Sequence, residues 1–529
     1  MASRMIDPSE TTHSASDKQM LRSSMIVSVL QMVGVVVAYL REMAVARQFG
    51  SQTQVDQYYV AFTIVTLLPV VAWNVGWAAF VPIFMRRWLF NREEAWQVAN
   101  LVLSYLLVFL LAGCIATIAF AGTWIHLVAP GLTPQAMVSA RLLTYVLVPV
   151  LLLMGINVQL MAVLNGLKLF GIATLSQALP SLFSLVAVLA APARVGILSL
   201  AWGWTVGSLA QTLVLLWQCR SAGYRFRLCF TISPDLRELA GSCLGYLLPA
   251  CSSLVMVLVD RHYASQLGTG AIAVLNYGDK LFRVPMVVLT TSLFTVSLSY
   301  FAGHTVAEDF SKFRESLSVG LRFAAFLLVP TGLFMLIFRY PIISIAYQRG
   351  AFTLQDSKRV AATLVFFAPL VIVHGIWYVL ERSMIALGRL RLLTGISMLT
   401  IAAKIATSAM LYQRLGVAGL VLSTVVTFSI AMVIMYGVIL ASFGPSAAFS
   451  DAAGIGHLLL AVAGSGGVGL VLQSALLRDG VNATAMPGSA VILVIAGGCA
   501  IVTFFLIAGL MRMPEMVLVG RWLYARVSG

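Results

Sequence analysis

Long hydrophobic runs alternate with short polar segments along almost the whole chain of 529 residues. A helix of about 20 apolar residues is needed to cross the hydrocarbon core of a bilayer, which is about 30 Å thick. The pattern therefore predicts an all-α polytopic membrane protein with about 14 transmembrane helices. The fourteen runs lie near residues 24–40, 58–84, 98–122, 142–164, 171–191, 197–217, 240–259, 271–301, 320–345, 360–387, 393–413, 417–441, 456–477 and 488–511.

The composition supports a membrane protein and excludes several soluble classes. Hydrophobic residues make up 60% of the chain and charged residues only 10%, with a mean hydropathy of +0.95. Soluble proteins carry about 25% charged residues, so a soluble enzyme, a disordered protein and a disulfide scaffold are all excluded. The net charge of +15 is spread between the apolar runs. It therefore indicates an anionic membrane as the partner, not nucleic acid.

The short loops indicate how the chain is oriented. With the N-terminus inside, the cytoplasmic segments hold clearly more lysines and arginines than the segments on the opposite side. Cytoplasmic loops usually carry the excess of positive charge. We therefore expect both termini in the cytoplasm, with the chain crossing the membrane many times.

An internal repeat divides the chain. Pro149, which precedes Gly155, recurs as Pro369 before Gly375, and Gly196 recurs as Gly416 at the same offset. This offset spans six runs, so the two copies cross the membrane in the same direction, and their interface is a natural binding site. The predicted organisation is a polar tail (1–23), an N-terminal lobe (24–217), a loop (218–239), a C-terminal lobe (240–441), a final helix pair (456–511) and a second tail (512–529).

Charged residues inside or beside the spans are the candidate site. An ionisable group within a bilayer costs about 2.5–3.5 kcal/mol or more and usually faces a cavity or a partner. Asp279 and Arg283 are four residues apart and can pair on one helix face. Arginine and lysine suit a phosphate-bearing anion. The full set of candidate substrate-binding residues is Arg41, Arg47, Asp56, Arg261, Asp279, Lys280, Arg283 and Arg382. Lys404 stays open between function and structure, because nothing in its own span can pair with it.

Other motifs do not predict catalysis. Residues 464–469 read GSGGVG and satisfy a dinucleotide-binding pattern, but they lie inside an apolar run, where small residues pack helices together. The chain shows no metal-ligand spacing and no nucleophile with its base. We expect no enzyme activity, no cofactor and no metal, and a helix-to-helix hydrogen bond for His374.

Several segments carry a resemblance to a known family. They read REMAVARQFG at 41–50, DQYYVAF at 56–62, AFVP at 79–82, LNYGDKL at 275–281 and QRGAFT at 348–353. These segments resemble the MurJ/MviN family. The resemblance implies a flippase that moves undecaprenyl-pyrophosphate-linked precursors, chiefly lipid II, across the bacterial inner membrane. It implies two six-helix lobes around a central cavity and a final helix pair that holds the lipid tail. Arg41, Arg47, Asp56 and Lys280 fall on the family's charged positions.

One departure leaves the substrate open. The second span in lipid II flippases carries basic residues that face the cavity, whereas residues 63–77 here contain none. The headgroup is therefore either that of lipid II or that of another cell-envelope or exopolysaccharide precursor, with membrane lipids and a coupling ion as further partners. Two alternatives remain: an ion-coupled multidrug exporter and a non-transporting scaffold for polysaccharide assembly.

Overall fold

The computed structural model describes residues 8–231, 234–287, 310–443 and 452–516, and these residues form helices joined by short connections, with no strand among them. The helices are α1 (Pro8–Phe49), α2 (Thr53–Phe90), α3 (Arg92–Ala119), α4 (Ala121–Val128), α5 (Pro134–Gly166), α6 (Phe170–Ser176), α7 (Leu179–Ala190), α8 (Leu198–Ser221), α9 (Pro234–Ser265), α10 (271–287 in the described part), α11 (Phe310–Ile337), α12 (Arg339–Ala346), α13 (Leu354–Ala386), α14 (Leu390–Phe443), α15 (Ala452–Arg478), α16 (Met486–Ile492) and α17 (Gly498–Leu510).

Eleven of the described helical segments are long and apolar enough to cross a membrane. The 54-residue α14 covers two predicted spans, 393–413 and 417–441. Its backbone departs from helical geometry at Gly416, between the two. The all-α membrane architecture is therefore confirmed, whereas the count of fourteen stays a prediction. Much of the predicted span 271–301 lies outside the described residues, and so does most of the tail 512–529.

The first predicted span, 24–40, lies within α1. The helix continues through the segment from Arg41 to Arg47 and ends at Phe49. Arg41 and Glu42 are buried, and each lies against an aromatic side chain. Because these contacts hold both charged groups inside the protein, the helix continues through them.

The described chain forms two compact units. One contains α1 up to Arg41, together with Ala61–Ala121 and Arg141–Ala250. Its core is rich in aromatic rings, among them Phe84, which lies 5.9 Å from both Trp88 and Trp96. The other unit contains Glu42–Val60, Gly122–Ala140 and the chain from Cys251 onwards.

The internal repeat is visible in the helices. Helices α5 and α13 are both 33 residues long, and each contains the repeated proline. The short helices α4 and α12 both have eight residues. Two pairs of helices in equivalent places thus match in length, which agrees with a duplicated fold.

The repeated glycines have the same backbone conformation or the same close contact in both copies. Gly196 and Gly416 have φ angles of 57° and 59°, a left-handed conformation that glycine adopts without a side-chain clash. The backbone at Gly155 leaves no room for a Cβ atom beside Leu110, and Gly375 stands in the same way against Leu328. The two copies therefore share close helix contacts as well as helix lengths.

Candidate functional site

The end of α1 holds two of the predicted charged residues in different environments. The guanidinium of Arg41 lies 4.7 Å from the centre of the Trp204 ring, so a cation–π contact offsets part of its burial. Arg47 is exposed, and its backbone carbonyl accepts a hydrogen bond of 2.8 Å from Ala351 N–H. Between them, Glu42 accepts a 2.6 Å hydrogen bond from the Tyr59 hydroxyl.

Asp56 is fixed to the start of α10. Its two carboxylate oxygens accept the backbone N–H groups of Gly270, at 2.6 Å, and of Ala273, at 2.7 Å. Free N–H groups at a helix N-terminus attract negative charge, because the helix dipole is positive there. The structure therefore gives Asp56 a partner within the protein, and its contact with a substrate stays a prediction.

Three tight turns meet beside Asp56, and we name this region the turn junction, formed by residues 47–56, 268–277 and 347–356. The Tyr277 hydroxyl donates a 2.8 Å hydrogen bond to the backbone carbonyl of Gly50. The Tyr347 hydroxyl donates a 3.2 Å hydrogen bond to the backbone carbonyl of Tyr277. Ser51 donates to Asp356, which also belongs to the capping box that begins α13. The junction contains residues of four of the sequence segments that carry the family resemblance.

The charged residues of α9 and α10 form the second part of the candidate site. Arg261 donates to the backbone carbonyl of Ile272 at 3.2 Å and to the side-chain oxygen of Asn276 at 3.4 Å. Further along α10, the Arg283 guanidinium lies 2.6 Å from the Asp279 carboxylate. The predicted pairing of Asp279 with Arg283 is confirmed.

This pair is not buried in a solid interior. The Arg283 side chain is 60% exposed and that of Asp279 is 30% exposed, whereas Leu281 and Phe282 between them are buried. Lys280 is half-buried on the same helix. Helix α10 thus buries its apolar residues in the protein. We name the accessible side chains of Asp279, Lys280 and Arg283 the charged face of α10.

Helix α13 adds Arg382 and an aromatic cluster. The guanidinium of Arg382 lies 4.9 Å from the Tyr378 ring centre. The ring of His374 packs against Phe428 at 4.8 Å and Phe282 at 5.7 Å, and its Nδ1 atom has no hydrogen-bond partner within the described residues. The expected helix-to-helix hydrogen bond is therefore not made by that atom.

Sequence reasoning missed a buried interaction of charged residues. Lys404 in α14 is completely buried, and its ammonium nitrogen lies 2.6 Å from a carboxylate oxygen of Asp260 in α9. The two residues are far apart in sequence, so no helical spacing could signal the pair. The only signal was that both charges occur in apolar sequence.

An apolar cavity of about 290 Å³ lies between α11, α15 and α17. Its lining includes Leu333 and Phe334 from α11, Gly466 from α15 and Phe504 from α17. The glycine-rich segment 464–469 packs against these helices, and a Cβ atom at Gly466 would come within 2.6 Å of the Leu333 side chain. This packing agrees with the interpretation of that segment as a helix contact.

Comparison with known proteins decides the family. The profile described as "Lipid II flippase MurJ" matches residues 45–491, which is most of the chain. The chain belongs to the MurJ lipid II flippase family. A "Probable lipid II flippase MurJ" of Bdellovibrio bacteriovorus is 24% identical over 436 residues, covering 80% of this chain and 82% of that protein. A "Lipid II flippase MurJ" of Burkholderia cenocepacia is 27% identical over 357 residues, covering 65% and 69%.

Solved structures show the same fold. "Lipid II flippase MurJ, inward closed conformation" superposes with a TM-score of 0.77 at 18% identity, covering 92% of this chain and 98% of that one. An inward-facing multidrug resistance MATE transporter of the MOP superfamily gives a TM-score of 0.66 at 12% identity, covering 80% of this chain and 98% of that one. The MurJ fold thus extends over more of the chain than the drug-transporter fold does.

Proposed function

We propose that this protein is a flippase that moves lipid II, a lipid-linked saccharide pyrophosphate, across the bacterial inner membrane by alternating access. Membership of the MurJ family supports this function, and the observation that carries its mechanism is the accessible charged face of α10. The headgroup enters from the cytoplasm, where both termini lie, and the protein makes and breaks no covalent bond in it.

The exposure of Arg283 supports an anionic substrate. A guanidinium within a membrane span that faced lipid would cost several kcal/mol, so an exposed one faces water or an anion. Arg283 is 60% exposed inside the predicted span 271–301. A pyrophosphate cannot cross a bare bilayer because of the cost of removing its water. Positive groups such as Arg283 and Lys280 lower that cost by replacing water with charge-assisted hydrogen bonds.

The apolar cavity supports a lipid-linked substrate. Its lining is made of aliphatic and aromatic side chains of α11, α15 and α17, which match a polyprenyl chain. Helices α15 and α17 belong to the final helix pair predicted to hold the lipid tail. We therefore assign the tail to this cavity and the headgroup to the charged face of α10.

Translocation by the purified protein in vesicles tests the proposal directly. Fluorescent lipid II is placed in both leaflets, and an impermeant quencher reports the fraction that becomes accessible outside. We expect wild-type protein to translocate it and Arg283→Ala to reduce the rate about tenfold, which corresponds to the loss of one charged hydrogen bond.

A matched control is Arg414→Ala, which removes an exposed arginine of α14 outside the charged face. This variant should translocate lipid II at the wild-type rate. Equal rates for wild-type protein and Arg283→Ala would contradict the role of the charged face. A wild-type protein that moved cationic drugs and no lipid-linked saccharide would instead support the multidrug exporter, whose fold is also similar.

A further inference from the structure

The buried ammonium of Lys404 is surrounded by oxygen atoms. It donates hydrogen bonds to Leu420 O at 3.0 Å, Ser423 Oγ at 2.8 Å and Thr424 Oγ1 at 2.6 Å. The carboxylate of Asp260 lies 2.6 Å away. The side chain of Lys404 has no solvent exposure, whereas that of Asp260 is 22% exposed. The three N–H groups of the Lys404 ammonium thus have three neutral acceptors, and the carboxylate of Asp260 balances its positive charge.

In the other copy of the repeat, an uncharged residue stands at the position equivalent to Lys404. At the offset that relates Gly416 to Gly196, Lys404 corresponds to Ser184 and Leu420 corresponds to Leu200. The Ser184 hydroxyl donates to Leu200 O at 3.4 Å, as the Lys404 ammonium donates to Leu420 O. A serine therefore suffices to bridge the helical segments on either side of the left-handed glycine. The charge of Lys404 needs a separate explanation, and its carboxylate partner supplies one.

The next residue after Asp260 belongs to the candidate site. Arg261 donates hydrogen bonds to a backbone carbonyl and to the Asn276 amide, and its guanidinium lies 5.5 Å from the centre of the Tyr59 ring. The carboxylates of Asp279 and Asp56 also attract it electrostatically, but neither makes a described hydrogen bond with it. The Nε atom of Arg261 is buried without a hydrogen-bond partner in the described part of the chain. If Asp260 were not balanced elsewhere, its negative charge would offset the positive charge of Arg261 beside it.

We propose that Lys404 is a positioning residue that acts as the fixed counter-ion of Asp260. The lysine keeps the carboxylate paired within the protein, so that the positive charge of Arg261 remains available to an anionic headgroup. The second half of this statement rests on the proposed function. The first half concerns only the protein and can be tested without any substrate.

Thermal unfolding of four purified proteins tests the pairing. They are wild-type protein, Lys404→Ser, Asp260→Asn and the double variant, and serine is chosen because it stands at position 184. Each single variant leaves one charge without its partner, fully buried Lys404 or partly buried Asp260, so its melting temperature should fall by about 5 °C. The double variant leaves neither charge, and should regain most of that loss. Losses that simply add in the double variant would overturn the counter-ion role.

Translocation of fluorescent lipid II in vesicles tests the link to the site. Lys404→Ser should raise the substrate concentration at half-maximal rate several-fold, and the double variant should restore it, because the net charge beside Arg261 is again that of wild type. A double variant that melts like wild type but stays impaired in translocation would overturn the link to Arg261. Failure of the wild-type protein to translocate lipid II would overturn the proposed function while leaving the pairing result intact.

Discussion

Asp56 and Ala273 are distant in sequence, yet the Asp56 carboxylate accepts the Ala273 backbone N–H at 2.7 Å. The same carboxylate accepts the N–H of Gly270. One side chain therefore satisfies two of the N–H groups that open α10, and it joins the first copy of the repeat to the second. Sequence patterns marked Asp56 as a charged position but could not show this contact.

Replacing Asp56 tests how much this contact stabilises the protein. Hydrogen bonds to a charged group contribute about 1.5–3 kcal/mol each. We expect Asp56→Ala to lower the free energy of unfolding by about 3 kcal/mol and Asp56→Asn by roughly half of that, since one amide oxygen can still accept a hydrogen bond. Unfolding followed in detergent micelles measures the difference.

Glu93→Gln is the matched control, because Glu93 is an exposed acidic residue in the first turn of α3. It should change stability by less than about 0.5 kcal/mol. An Asp56→Ala protein as stable as Glu93→Gln would show that the contact with α10 contributes nothing.

The repeated glycines predict equal effects in the two copies. Gly155→Ala would place a methyl group against Leu110, and Gly375→Ala would place one against Leu328. We expect each substitution to lower stability by about 1–3 kcal/mol through overpacking. Gly395→Ala should instead stabilise α14, since its Cβ atom would meet nothing within 4 Å. The three melting temperatures check this order, and a loss in one copy alone would contradict the structural repeat.

Filling the apolar cavity should affect the lipid tail. Gly466→Leu introduces a side chain toward Leu333, whereas the adjacent Gly467 faces open space. We expect Gly466→Leu to raise the lipid II concentration at half-maximal translocation about tenfold, and Gly467→Leu to leave it unchanged. Translocation measured over a range of substrate concentrations separates the two. Equal concentration dependences for Gly466→Leu and Gly467→Leu would mean that the lipid tail of the substrate binds elsewhere.

An exposed ion pair between α2 and α9 predicts a dependence on pH. Arg86 donates to Glu238 at 2.6 Å, and this hydrogen bond lowers the pKa of Glu238 below its usual value of 4.5. A carboxylate with a lowered pKa in the folded protein stabilises it above pH 4.5, and the contribution is lost as the pH falls further.

The Glu238→Gln variant should therefore melt slightly below wild type at neutral pH and at the same temperature as wild type in strong acid. Melting curves across this pH range check the prediction. A constant difference at every pH would assign the effect to packing and not to the charge. Arg92→Gln, which alters an exposed residue nearby, controls for general loss of surface charge.

Much of the fold could be predicted because its signals are local. Apolar runs mark membrane helices, and the spacing of four residues marked the Asp279–Arg283 pair. The duplicated prolines and glycines revealed the repeat because they fix backbone geometry. The pairing of Lys404 with Asp260 could not be predicted, since it depends on which helices become neighbours. For the same reason the contact between Arg41 and the Trp204 ring could not be read from the sequence.

The position of the apolar cavity separates two parts of the work that a flippase performs. Under the proposed assignment of the lipid tail to the cavity between α11, α15 and α17, the hydrocarbon part of the substrate stays in apolar surroundings while the polar headgroup crosses. Extra isoprene units then add nothing to the barrier for crossing, and a single carrier can serve cargo whose anchors differ in length.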